Sequence, residues 1–66
     1  MNASTFATWL TADSNADPTS LIDALGMSDN DARLAVRMEM LVAKQFGTPS
    51  PEALLTKLSW LAQQVG

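Results

Sequence analysis

The chain has 66 residues, 47% of them hydrophobic and 17% charged, with a net charge of −3 and neither cysteine nor histidine. That is one domain over residues 1–66, too apolar for a disordered tail and near the lower size limit for a self-sufficient core. Disulfide staples and Cys/His zinc sites are excluded, and so few bases cannot make the electrostatic footprint of a general nucleic-acid binder.

In chain order, the first predicted helix starts at Ala3 or Thr5 and ends at Thr11, because Phe6, Trp9 and Leu10 recur at i, i+3 and i+4. Its threonines are β-branched, so it depends on tertiary contacts. Asp13 to Ala16 read as a polar loop. Asp17 then acts as an N-cap with Pro18 in the first helical position, opening a second helix over 18–25. Gly26 occupies a left-handed position after that helix, and Met27 folds back onto Ile22.

Ser28 caps a third helix over 29–46, with Asp31 three residues on completing a capping-box-like pair. Gly47 stops it. Ser50 caps a fourth helix over 51–65, with Pro51 first and Glu52 in the opening turn. The short connection makes the third and fourth helices an antiparallel hairpin. The expected fold is therefore all-α, a compact bundle of three to four helices (about 3–11, 18–25, 29–46 and 51–65). No window alternates with the period of a strand. No stretch approaches the ~20 apolar residues of a bilayer span, and no basic segment precedes an apolar run at the N-terminus, so the expected location is the cytoplasm, away from membranes.

Charge is unevenly distributed. Asp13, Asp17, Asp23, Asp29 and Asp31 precede the first base, whereas Arg33, Arg37, Lys44 and Lys57 stand later with only Glu39 and Glu52. Projected at about 100° per residue, the third helix gathers Asn30, Arg33, Arg37 and Lys44 into a polar strip and spreads apolar residues over roughly 220°. A surface helix buries less than that, so this one is expected to be central, covered by other elements or by a second copy of the chain. Met38 reads as core filler. Met40 projects beside the basic strip and adds an apolar spot to it.

Glu39 falls inside the apolar arc, near Ala32, Ala43 and Phe46. It either pairs with Lys57 or with an arginine of another subunit, or sits where the covering is incomplete. Ala35, Glu39, Val42 and Ala43 are the expected self-association residues, since small side chains permit close helix approach. On the fourth helix, Leu54, Leu55, Leu58, Leu61, Ala62 and Val65 form the core stripe, and Trp60 projects away from it. Trp60 is either an exposed partner contact or is covered by the first helix with its Phe6 and Trp9.

The sequence carries no catalytic or cofactor motif. There is no histidine, cysteine or tyrosine, no glycine-rich phosphate loop and no calcium-loop spacing of acids. A helix-turn-helix DNA reader over 18–46 is the alternative. It would present Asp29, Asn30 and Asp31 where phosphates lie, and carboxylates there repel the backbone. The expectation is a non-enzymatic module that binds another protein, as a homodimer, without metal or cofactor. Its size suits a bacterial or phage regulator, an anti-activator or a chaperone-like adaptor. Trp60, Trp9, Met40, Arg33, Arg37 and Lys44 are the expected partner contacts.

Overall fold

The computed structural model describes residues 1–12 and 16–65; of the expected polar loop, residues 13–15 lie outside them. Four helices follow in order: α1 (Ala3–Thr11), α2 (Thr19–Ala24), α3 (Asn30–Phe46) and α4 (Pro51–Val65), with no strand among the described residues. The bundle is all-α, as the punctuation predicts.

Each start has an identifiable cap. The Asn2 side chain accepts the Thr5 N–H at 2.8 Å, and Ser50 Oγ accepts the Ala53 N–H at 3.1 Å. Asp17 accepts both the N–H of Thr19 (2.9 Å) and its hydroxyl (2.7 Å), so α2 begins at Thr19, one residue later than expected, with Pro18 in the cap position. The N-cap of α3 is Asp29 rather than Ser28: its carboxylate accepts the Ala32 N–H at 2.8 Å, a charge-assisted bond at the positive end of the helix dipole. Gly26 and Gly47 end the second and third helices at φ of +79° and +85°. Met27 is buried with Ile22 in one cluster, consistent with the expected turn-back.

The core is made by Phe6 and Trp9 of α1, Leu21 and Ile22 of α2, Val36 and Met40 of α3, and Leu55, Leu58 and Ala62 of α4, together with Met27 from the connection between α2 and α3. Phe6 and Trp9 stack with centroids 6.2 Å apart, and the Trp9 indole N–H donates to the Ala16 carbonyl at 3.2 Å. α3 touches all three other helices, which bears out its central place, but α1 rather than α3 makes the more extensive contact with α4. The radius of gyration of 10.8 Å matches the ~11 Å of a folded chain this long.

The orientation of α3 reverses part of the sequence reading. Its buried face is Val36, Met40 and Ala43, next to the basic strip, while Leu34, Met38, Leu41, Val42 and Phe46 are exposed. Met38, expected in the core, is 59% exposed; Met40, expected on the surface, is fully buried. The strip turns inward because α1 and α2 offer carbonyl and carboxylate oxygens at their ends, which hydrogen-bond the basic tips while the aliphatic stems cover the core.

Candidate interaction surface

The three bases of α3 are all engaged inside the molecule. Arg33 hydrogen-bonds the Asp23 carboxylate near the end of α2 and donates to the Met27 carbonyl at 2.9 Å. Arg37 reaches Thr19 Oγ1 at 2.6 Å and Asp17 at 3.3 Å, at the start of α2. Lys44 donates to the carbonyls of Trp9 and Ala12 at the end of α1, with its ammonium 4.7 Å from the Trp9 ring centroid. One strip of one helix thus fastens both ends of α2 and the last turn of α1. A six-residue helix is far too short to persist alone, so these ties have structural weight.

That geometry corrects several expected partner contacts. Arg33, Arg37 and Lys44 are half-buried internal clamps, Trp9 is buried beneath Lys44, and Met40 is core. None of these five forms an open binding face. Two of the early acids, Asp17 and Asp23, pair across the fold with two of the later bases, Arg37 and Arg33. The remaining base, Lys57 on α4, meets Glu39 on α3 at 3.1 Å, the intramolecular alternative weighed from sequence. All four basic side chains are thus engaged in intramolecular hydrogen bonds.

The proton affinity of Asp17 is lowered. Hydrogen bonds from the Thr19 hydroxyl and then the Thr19 N–H hold it below the usual range, helped by the Arg37 charge. No three acids converge as a metal-binding group, and no helix is long and apolar enough to cross a membrane, among the described residues.

What remains open is apolar. Leu34, Met38, Leu41, Val42 and Phe46 lie within about 140° of one another around α3, and Phe46 is 76% exposed. A shallow groove between Ala35, Met38, Glu39 and Val42 runs along this face. Of the expected self-association residues, Ala35, Glu39 and Val42 are therefore on it, while Ala43 is buried against the bundle and cannot take part. The Lys57–Glu39 pair fixes where α4 lies beside α3. Trp60, one turn further along α4 than Lys57, is 57% exposed. The first helix does not cover it; Phe6 and Trp9 point into the core instead.

By their exposed fractions the five α3 residues present roughly 550 Å² of accessible surface, at the upper end of the ~300–600 Å² of the largest patch on most monomers. Asp31 and Gln45 interrupt the face, and Glu39 lies at its edge. The sequence projection found the wide apolar arc but not which side of it the fold leaves bare. No protein-family model, curated protein or solved structure matches the chain.

Proposed function

We propose that this chain is a non-enzymatic protein-interaction module whose working surface is the outward face of α3. The observation that supports this most directly is the exposed row Leu34, Met38, Leu41, Val42 and Phe46 on a helix whose basic residues are engaged internally. Leaving such a row in water forgoes burial worth ~25 cal/mol per Å², so a protein surface that covers it gains most of its affinity there. Large apolar side chains at i, i+4, i+7 and i+8 match the way a helix presents itself to another helix. Regulators and adaptors of the kind expected from size work through such contacts.

A photo-crosslinking amino acid placed at Met38, and separately at exposed Ser20 on α2, tests the reading in the cells that make the protein. Irradiation is expected to yield a protein adduct, to the same chain or another, from position 38 and not from position 20. Equal labelling at both positions, or no protein adduct at position 38, would remove the basis for it.

A further inference from the structure

Resting on that reading, we infer that the occupant of the α3 face is a second copy of this chain, docked antiparallel across a two-fold axis at Met38. Area is the first argument. Roughly 550 Å² per copy, about 1,100 Å² for the pair, clears the ~1,000 Å² total that a specific interface requires, and an isologous dimer needs the same patch on both sides.

Self-complementarity is the second. On a helix of 100° and 1.5 Å per residue, Leu34 and Leu41 lie on one side of Met38 and Ala35 and Val42 on the other, at nearly equal distances above and below it. Antiparallel two-fold pairing then sets Met38 against Met38, Leu34 against Leu41 and the small Ala35 against the larger Val42. The two polar interruptions meet as well: Asp31 falls opposite Gln45 of the second copy, whose amide N–H₂ is a donor for a carboxylate. A parallel arrangement would set Asp31 against Asp31 and Gln45 against Gln45, losing this pairing. The four bases lie off this face, so closing the seam breaks none of the clamps.

Sedimentation equilibrium on the whole chain at about 100 µM, a concentration at which a micromolar dimer is nearly complete, provides the test. The wild type is expected at twice its 7.1 kDa chain mass, and Met38→Glu, which sets two carboxylates together on the axis, at the single-chain mass with unchanged helicity. Register is read from two double variants. Leu34→Lys/Leu41→Glu restores attraction in the antiparallel dimer and stays dimeric; Leu34→Lys/Leu41→Lys becomes monomeric. A monomeric wild type, or a dimer indifferent to Met38→Glu, overturns the inference, and the opposite behaviour of the double variants overturns the register. If the chain is monomeric while position 38 still crosslinks to a different protein, self-association falls and the interaction module stands. If neither occurs, both fall.

Discussion

The ammonium of Lys44 sits 4.7 Å from the centroid of the Trp9 ring while donating to the Trp9 carbonyl. One side chain therefore serves two needs of α1: it neutralises the carbonyl end of a helix with no base in its own last turn, and it covers the indole that anchors that helix in the core. Replacing Lys44 with methionine keeps the apolar stem and removes both effects. The expected loss is about 1–2 kcal/mol of stability, read as a lower urea midpoint together with a change in Trp9 emission in a Trp60→Phe background. A midpoint within error of the parent's would mean that the contact contributes nothing net.

Acid sensitivity is expected at the other clamp. Asp17 has its proton affinity lowered in the folded state, chiefly by the Thr19 hydroxyl and N–H. A group with a depressed folded pKa stabilises above its unfolded value and loses that contribution as pH falls from its ordinary 3.8 toward the folded value. Asp17→Asn keeps an acceptor for Thr19 but removes the charge. The wild type should exceed this variant in α2 amide protection near neutral pH, and the difference should shrink as pH falls below 3.8. An unchanged difference across that range would show that the charge is irrelevant to α2.

Met38 and Met40 stand two residues apart with opposite environments. Met40→Ala removes a fully buried side chain at the meeting point of the helices and is expected to cost about 2–5 kcal/mol. In a domain this small that approaches complete unfolding. Met38→Ala on the isolated chain should stay within about 0.5 kcal/mol of the parent, because the side chain is already in water. Thermal melts of dilute samples distinguish them, and comparable losses at the two positions would contradict the orientation of α3.

That orientation was the part of the fold hardest to read from sequence. Helix limits were legible because caps are local: Ser50, Gly26 and Gly47 act through bonds or backbone angles within a few residues. Asp29 displaced Ser28 as the cap by a single position, within the usual latitude of helix ends. The facing of α3 is instead settled by oxygens 6 to 35 residues away, from the Met27 carbonyl that receives Arg33 to the Trp9 carbonyl that receives Lys44. A helical projection shows that bases share a strip but not that distant helix ends will claim them. Trp60 was legible as a misfit because the leucine stripe of α4 is narrow, and Glu39 because an acid within an apolar arc demands a base. Met40 was misjudged because its neighbours in projection were charges that turned out to face inward.

The two left-handed glycines allow a test that separates backbone preference from crowding. Gly26 and Gly47 have φ of +79° and +85°, and a Cβ built on either meets no heavy atom within 4 Å. Any penalty for L-alanine must therefore come from the conformation alone, about 1–2 kcal/mol per site. D-alanine reverses the sign, since positive φ is its natural region and the methyl restricts the unfolded chain, so a gain of about 0.4–1 kcal/mol is expected. A chain of this length is accessible to chemical synthesis, and thermal unfolding of the L and D variants at each site gives the comparison. Destabilisation by both enantiomers at Gly26 would mean that Asp23, Met27 and Arg33 hold the turn so closely that no side chain fits. Loss with L-alanine and gain with D-alanine would show that the glycine is there for its backbone angle, with the three clamps setting where the released chain goes next.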